Sequence, residues 1–490
     1  MGTTTTPTTD PGRAAGDLDV EPASADAGAT HDIAAFAAGA VGRRAGAGQA
    51  PDVLTTLVDT VAVSVAGMDT PAVRALLDLL EAEPAPGACR LWGSSLTVGA
   101  SAAALVNGTA AHALDWDDAS PTMPMHPAAV LLPALVAQAA QTGATTDVFA
   151  SAYAVGSAVF RAVSEVLPLE VHYGRGWHNT STTGRLAATA ALATLTGLGT
   201  GATRHALGLA ASMASGSLAN FGTMTKPLHA GLAARDAVTA IALAQRGFTA
   251  RDTQLESPGG FFALFGDTDP VRLSRLGEHL HRWEGTWRED WVIKRFPSCY
   301  ATHRAIDAVL DLRTTLDPDD VASIEVTVHR GGLRPLLTHL PRTGLEGKFS
   351  LPYTVARALR SGHVRLADFT DEAVLDPSLR PVVDAVVVRE GLDPDAAGST
   401  EPFTVVTIHT HSGRVHTRRV DVSRGDARNP MSTRDLEDKA VDAFASAGWA
   451  PEPTRRLLAE LDRLWTGGDL GGLQDLLSAP EATRTPGGQA

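Results

Sequence analysis

The chain has 490 residues, a hydrophobic fraction of 44% and a formal net charge of −14. An acidic chain of this kind is not expected to bind nucleic acid, and no apolar run approaches the roughly 20 residues that a membrane span needs. Its two cysteines, Cys89 and Cys299, are too few for an iron–sulfur cluster or a four-cysteine zinc site. They also make a disulfide framework unexpected, which predicts a cytoplasmic protein.

Both ends of the chain differ in composition from the rest. Residues 1–30 are rich in Thr, Pro, Ala, Gly and Asp, and they have neither the basic start nor the apolar run of a signal peptide. Residues 479–490 have a similar composition. We therefore predict a disordered tail at each end.

Helical patterns follow one another from about residue 31 to 293. Apolar residues in Pro51–Ala66 keep the i, i+3, i+4 spacing of a helix, with Pro51 at the favoured first position. Three further segments are so rich in Ala and so poor in polar residues that we expect them to be buried in a bundle: Ala128–Gln141, Ser181–Leu195 and Leu228–Arg246. No fixed period favours a solenoid.

The pattern changes near Pro297. Alternation predicts three strands, and the second and third are joined at a short turn of Ser412 and Gly413: Ser323–His329, Phe403–His411 and Arg414–Val422. Helical patterns lie between these strands and return after them: Leu351–Arg360, Asp371–Val374, Thr433–Ala447 and Glu452–Trp465. We predict a mainly α protein with an α+β part: residues 31–293 and 429–478 form an all-helical bundle domain, and residues 294–428 form a smaller inserted α+β lid domain.

Lysine is rare in this chain. Of its 41 basic residues only four are lysines, at positions 226, 294, 348 and 439. An ammonium can lose its proton or act as a compact charge, whereas a guanidinium does not titrate usefully. Lys226 and Lys294 are therefore candidates for chemistry, and the alternative is that they are ordinary surface residues.

Three predicted helix openings carry a titratable side chain. A helix start presents free N–H groups and the positive end of the helix dipole, which favours anions. If the bundle brings the three openings together, they form a pocket suited to a ligand with carboxylates; otherwise each His is a structural residue. The side chains are His126 before Pro127, His178 with the hydroxyls of Thr180 and Thr182, and Lys226 before Pro227 with His229 in the first turn.

Two further segments carry clustered charges. Asp115-Trp-Asp-Asp118 could bind a divalent metal, raise the pKa of one of its carboxyls or cap a helix. The same pattern occurs in class II terpene cyclases, but the chain has few aromatic residues to line such a cavity. A basic segment at the predicted domain junction, where ligands often bind, contains Lys294, Arg295, Cys299, His303 and Arg304.

Taken together, these segments resemble the MmgE/PrpD family, which includes 2-methylcitrate dehydratase, cis-aconitate decarboxylase and iminodisuccinate epimerase. The resemblance spans about residues 35–465 and implies a helical domain with a smaller α+β lid, usually in a homodimer. The segments that carry it, in family order, are HALDWDDAS–MHPAAVLLPALVA, GWHNTSTTGRLAATAALATLTGL, GTMTKPLHAGLAARDAVTAIALAQRGFTA, IKRFPSCYATHRAIDA and KFSLPYTVARALRSG.

The resemblance also implies a site between the domains that uses no metal and no cofactor, with a small carboxylic acid as substrate. We expect Lys226 and Lys294 to hold substrate carboxylates and His126 and His178 to move protons. We expect Asp115 to orient a His or act as a base, and Tyr353 to donate to a leaving group. Six further residues are expected to bind substrate: Thr180, Thr182, His229, Arg295, Cys299 and His303. The residues that carry over as catalytic are Asp115, His126, His178, Lys226, Lys294 and Tyr353.

The reaction is left open by these motifs. Dehydration, epimerisation and decarboxylation all form a carbanion next to a carboxylate, and one pocket of Lys, His and Asp can serve each of them. Decarboxylating members tend to have Thr after the Asp-rich motif and some members have His after the KRFP segment, where this chain has Ala119 and Cys299. We therefore expect a 2-methylcitrate dehydratase-like lyase, with an epimerase, a decarboxylase or a non-catalytic carboxylate-binding protein as alternatives.

Overall fold

The computed structural model describes residues 27–46, 48–392 and 401–478 of the chain. Most of the two predicted tails, residues 1–26 and 479–490, therefore lies outside the described residues. Within residues 27–30, Ala29 and Thr30 already belong to the first helix, α1. The predicted end of the N-terminal tail at residue 30 is therefore two residues too late.

The fold is mainly α, with two small sheets. The helices before residue 294 are α1 Ala29–Gly39, α2 Gln49–Gly67, α3 Pro71–Ala82, α4 Ala100–Ala113, α5 Ala128–Thr142, α6 Thr146–Val166, α7 Leu169–Gly174, α8 Asn179–Thr196, α9 Thr200–Ser212, α10 Thr225–Ala244, α11 Phe261–Phe265, α12 Pro270–Leu273 and α13 Leu276–Thr286. Those after it are α14 His303–Arg313, α15 Gly344–Gly347, α16 Leu351–Ser361, α17 Asp371–Val374, α18 Arg380–Asp384, α19 Thr433–Ser446, α20 Pro451–Gly467 and α21 Leu473–Leu476.

The larger hydrophobic core is shared by both ends of the described chain. It contains apolar side chains from residues 29–293 together with side chains from residues 431–477. Helix α19 packs against α2, so the chain returns to the first core after residue 430. By length and composition α2 could cross a membrane, but 67% of its most apolar window is buried inside the molecule, as in a core helix.

The smaller core lies between residues 296 and 420 and includes a four-stranded sheet. Its strands are β3 Val321–His329, β4 Val386–Gly391, β5 Thr404–Thr410 and β6 Val415–Val420, in the order β4-β3-β5-β6. Strand β4 runs parallel to β3, and the other pairs are antiparallel. Two-residue strands β1 Cys89–Arg90 and β2 Thr97–Val98 form a separate antiparallel pair. The three predicted strands are confirmed, with β4 added.

Two helices begin earlier than predicted. Helix α2 starts at Gln49, so Pro51 is its third residue and not its first. Helix α10 starts at Thr225, which places Lys226 inside the first turn and not before it. Early helical positions have no intrahelical partner for their N–H groups, so proline is tolerated there without loss of a hydrogen bond.

Helices α4 and α10 cross at very close range. A Cβ atom added to Gly231 of α10 would lie 2.3 Å from the carbonyl oxygen of Leu105, and one added to Gly108 of α4 would lie 2.9 Å from the Cα of Gly231. Only glycine leaves room for such an approach between two backbones. The crossing matters for function because α4 ends just before Asp115 and α10 begins just before Lys226.

We predict that Gly231→Ala lowers the apparent melting temperature, because its methyl group must push α4 and α10 apart. Overpacking of this kind costs about 1–3 kcal/mol. Gly277→Ala in α13 is the matched control, since a Cβ there meets nothing within 4 Å and alanine favours a helix. Differential scanning fluorimetry on both variants checks this, and equal melting temperatures would contradict the close crossing.

Candidate functional site

The site is built around a turn that directly follows α4. Asp115 has a φ of 54°, which makes it the one non-glycine residue in the left-handed region within the described part of the chain. Aspartate is among the few residues that adopt this conformation, but it still costs energy unless neighbouring groups stabilise it. The side chain and the backbone of Asp115 are both buried, so the turn must be stabilised from within the protein.

Lysine side chains provide that stabilisation. Three consecutive carbonyl oxygens of the turn each accept a hydrogen bond from a different lysine Nζ: Leu114 from Lys348 at 2.7 Å, Asp115 from Lys294 at 2.8 Å and Trp116 from Lys439 at 3.0 Å. Lys439 also forms an ion pair of 2.6 Å with Asp59 of α2. The turn is therefore fixed by lysines that come from distant parts of the sequence.

The fourth lysine binds the side chain of the same aspartate. Lys226 Nζ lies 2.5 Å from Asp115 Oδ1, and Lys294 Nζ lies 3.2 Å from Oδ2. Burial alone would raise the pKa of the Asp115 carboxyl, but the two ammonium groups outweigh it and hold the pKa well below its usual value. Burial is the largest single effect and lowers the pKa of Lys294, but Asp115 and Asp117 together with smaller contributions outweigh it, so the pKa is raised. The carboxylate therefore stays ionised between two cations.

Two imidazoles share one carboxylate beside this ion pair. Asp117 Oδ2 lies 2.8 Å from Nδ1 of His112 and 3.2 Å from Nδ1 of His126. His126 Nδ1 also lies 2.8 Å from the carbonyl oxygen of Asp118, which can only accept a hydrogen bond. His126 Nδ1 therefore carries a proton, and in the neutral ring the lone pair is on Nε2. Burial lowers the pKa of His112 to about 4, although Asp117 opposes this shift.

A second pair of imidazoles lies next to the first. His178 Nδ1 and His229 Nδ1 are 3.1 Å apart, and the rings of His112 and His178 are stacked with centroids 6.3 Å apart. Burial, with His112 and Lys226 adding to it, lowers the pKa of His178 well below its usual value. Burial and the charge of Arg185 lower that of His229 to about 4. The cluster therefore holds neutral imidazoles that can accept protons.

His112, Asp117 and His126 are also the one group of metal-ligand type that the described ranges bring together, with ligand atoms within 4.8 Å of one another. A metal at His126 Nδ1 would require the lone pair that the hydrogen bond to Asp118 assigns to a proton. The hydrogen bond thus leaves His126 Nδ1 unavailable as a metal ligand. The absence of a metal remains a prediction.

Two protein-family models match this chain. The model of the MmgE/PrpD N-terminal domain matches residues 31–274, and that of the C-terminal domain matches residues 296–464. The chain belongs to the MmgE/PrpD family. The second match includes α19 and α20, which pack with the first core, so the predicted domain boundaries remain predictions.

The curated relatives of this MmgE/PrpD chain include proteins named cis-aconitate decarboxylase from three species. The mouse protein is 28% identical over 77% of this chain and 78% of its own length, and the human protein is 28% identical over 71% and 74%. The Aspergillus terreus protein is 26% identical over 86% of this chain and 90% of its own length. These relatives support a lyase family, but they give no specific support to dehydration.

Several predicted site residues lie outside the lysine–imidazole cluster. The Tyr353 hydroxyl donates to the carbonyl oxygen of Asp368, and its ring belongs to the smaller core. Arg295 pairs with Asp307 at 3.0 Å, and Thr182 Oγ1 pairs with His172 Nε2 at 3.0 Å. Each of these side chains is bound to another group of the protein, so it would have to give up that contact before it could bind substrate. Thr180 Oγ1 is buried without a hydrogen-bond partner.

Cys299 and His303 belong to the basic segment after Lys294. Burial, with Asp115 adding to it, raises the pKa of the Cys299 thiol to about 11, so the thiol is neutral and is a poor nucleophile. Burial and Lys294 lower the pKa of His303 to about 3, and its Nε2 lies 3.2 Å from the carbonyl oxygen of Ser298. Both side chains are close enough to the lysines to respond to their charge.

Sequence reasoning missed four residues of the cluster: His112, Asp117, Lys348 and Lys439. The last two share the rarity that singled out Lys226 and Lys294, so the same signal could have found them. His112 lies three residues before Asp115 in the quoted segment, where the last turn of α4 places it beside the Asp-rich motif. Asp117 was part of that motif, but no pattern in the sequence assigned it to two histidines.

We predict that the protein becomes less stable as pH falls from about 7 to about 4.5. An unfolded histidine takes up a proton near pH 6.5, whereas His112 and His229 do so only near 4 when folded, so protons favour the unfolded state in this range. Melting temperature against pH measures the effect. In His112→Asn the fall should be smaller, and in the exposed control His281→Asn it should be unchanged; an unaltered slope in His112→Asn contradicts the assignment.

Proposed function

We propose that this protein is a lyase that acts on a small di- or tricarboxylic acid without a metal or organic cofactor, and that decarboxylation of cis-aconitate or a close analogue is the first reaction to test. The observation that carries the proposal is the buried cluster in which Lys226 and Lys294 flank Asp115 next to four imidazoles. This combination supplies both anion binding and proton transfer within one site.

Carboxylate binding is assigned to Lys226 and Lys294. Both lysines pair with the single carboxylate of Asp115, so two ammonium groups face one carboxylate and an entering substrate carboxylate can exchange for part of these contacts. The Lys226 ammonium lies 5.5 Å from the ring of Phe221 and 5.7 Å from that of Phe349. Removal of water by these rings strengthens the attraction between an ammonium and a substrate carboxylate.

Proton transfer is assigned to the imidazoles. His126 is held by Asp117 and the Asp118 carbonyl through Nδ1, and 16% of its side chain is exposed, so its Nε2 is the base nearest to solvent in the pair that it forms with His112. A base of this kind can remove the proton next to a carboxylate, and its conjugate acid can return one. Lys226 and Lys294 would stabilise the negative charge that develops between these two steps.

The choice between two lyase reactions rests on different observations. The printed names of the curated relatives favour loss of CO2, in which a C–C bond breaks and the carbanion left behind takes up a proton. Ala119 favours loss of water, because decarboxylating members of the family tend to have Thr at this position and Ala119 has no hydroxyl. The next residue, Ser120, donates its hydroxyl to Asp290 at 2.5 Å and is not available as a substitute.

The deciding experiment is incubation of the purified protein with cis-aconitate, citrate and 2-methylcitrate, followed by mass spectrometry of the products in water and in deuterium oxide. Loss of CO2 supports decarboxylation and loss of water supports the dehydratase alternative. Deuterium uptake without loss of mass identifies an epimerase. A thermal shift without any product would instead favour a carboxylate-binding protein. A homodimer and a cytoplasmic location remain predictions.

We predict that Lys226→Met lowers kcat/KM by about 10²–10³-fold, because it removes one cation that faces the developing charge. The control is Arg246→Met, which removes an exposed cation just after the other end of α10. Steady-state kinetics on folded protein checks this, with circular dichroism to confirm folding. Unchanged turnover and substrate affinity in Lys226→Met would remove this lysine from the mechanism.

A further inference from the structure

Lys348 has no role in the site as predicted from sequence, yet it connects the two cores. It follows α15 in the part of the chain that forms the smaller core, and 4% of the residue is exposed. Its Nζ donates to the carbonyl oxygen of Leu114, at the end of α4, and at 2.8 Å to that of Pro297. The Lys348 backbone carbonyl also accepts from the N–H of Cys299 at 2.9 Å. One amine thus joins the Asp115 turn to the start of the second part of the chain.

The number of hydrogen-bond partners matches a neutral amine. A neutral lysine has two N–H groups, and the structure gives Lys348 Nζ two acceptors within the described residues. A protonated lysine has a third N–H, and the centre of the Phe369 ring lies 4.9 Å from Nζ. This ring face would favour an ammonium, but it is a weaker partner than a carbonyl oxygen.

The charges that face Lys348 come from three elements. The turn after α4 contributes Asp115, which favours the ammonium, while Lys294 at the junction and Lys226 of α10 disfavour it. Asp115 is already bound to both of these lysines, so its charge is largely balanced. Burial is the largest effect, and with the two cations it lowers the pKa of Lys348 to about 7. The neighbouring Cys299 thiol adds no charge, because it is neutral at this pH.

We propose that Lys348 is a positioning residue that works as a neutral amine and joins the smaller core to the Asp115 turn. Its action on the reaction passes through the Leu114 carbonyl and Asp115, and not through contact with substrate. The role in turnover rests on the proposed function, whereas the protonation state does not.

A direct test uses the rarity of lysine. Protein with ¹³C at the Cε of lysine gives four lysine signals, and the signal that is missing in Lys348→Met or in Lys348→Arg is that of Lys348. The expected result is a Lys348 signal that titrates with a midpoint below about 8.5 in the unaltered protein. A Lys348 signal that keeps the ammonium shift up to pH 9 would overturn the proposal. This experiment needs no substrate, so it stands even where no acid is turned over.

Turnover gives a second and independent readout. Arginine is always charged, so Lys348→Arg places a permanent cation opposite Lys294 and Lys226, whereas Lys348→Met keeps a similar volume without charge. We expect kcat/KM at pH 8 to be about tenfold lower in Lys348→Arg than in Lys348→Met, because like charges in a buried site are costly. Higher activity in Lys348→Arg than in Lys348→Met would show that a cation is needed at this position and would overturn the proposal that Lys348 is neutral. Arg360→Gln, an exposed change in α16, is the control.

Discussion

All four lysines of this chain bind one turn of three residues. Leu114, Asp115 and Trp116 each give their carbonyl oxygen to a separate lysine, and the fourth lysine binds the Asp115 carboxylate. A left-handed aspartate in a dry interior is unfavourable by itself, and buried ammonium groups are unfavourable without partners. The lysines stabilise the turn, and the turn supplies the lysines with hydrogen-bond partners. The four lysines come from distant parts of the chain that form both cores, with Lys439 in α19, so the geometry of the site depends on assembly of the whole molecule.

The same arrangement accounts for the chemistry of the neighbouring histidines. Burial is the main reason that protonation of His178 and His229 is disfavoured, and the positive charge of Lys226 adds to it, so their rings stay neutral. Asp117 assigns the protons of two further rings to Nδ1, which leaves Nε2 basic. Under the proposed function, cations that would hold carboxylates thus lie beside bases that would remove protons, which is what a reaction through a carbanion next to a carboxylate requires.

Periodicity was a reliable guide where one face of an element is buried. The alternation in SIEVTVH predicted β3, whose buried and half-buried residues alternate along the strand. Strand β4 was missed because it is an exposed edge strand with a short apolar run, so its sequence shows little alternation. The helix start at Lys226 was placed too late because Pro227 was taken as a boundary, whereas proline is tolerated throughout the first turn. Tyr353 matched a family position, but its hydroxyl is bound to the backbone of the smaller core.

By itself the sequence determined the mainly α class, three of the strands and the family, and it singled out Lys226 and Lys294 as candidate site residues. These follow from local periodicity, from rare residue types and from motifs in fixed order, all of which are properties of short segments. The tertiary structure alone decided that His112 and Asp117 belong to the site and that Lys348 and Lys439 complete the set of lysines. Lys439 and Trp116, for example, are 323 positions apart. The energies of such pairings depend on distance in space and on exclusion of water, and neither is written in the order of residues.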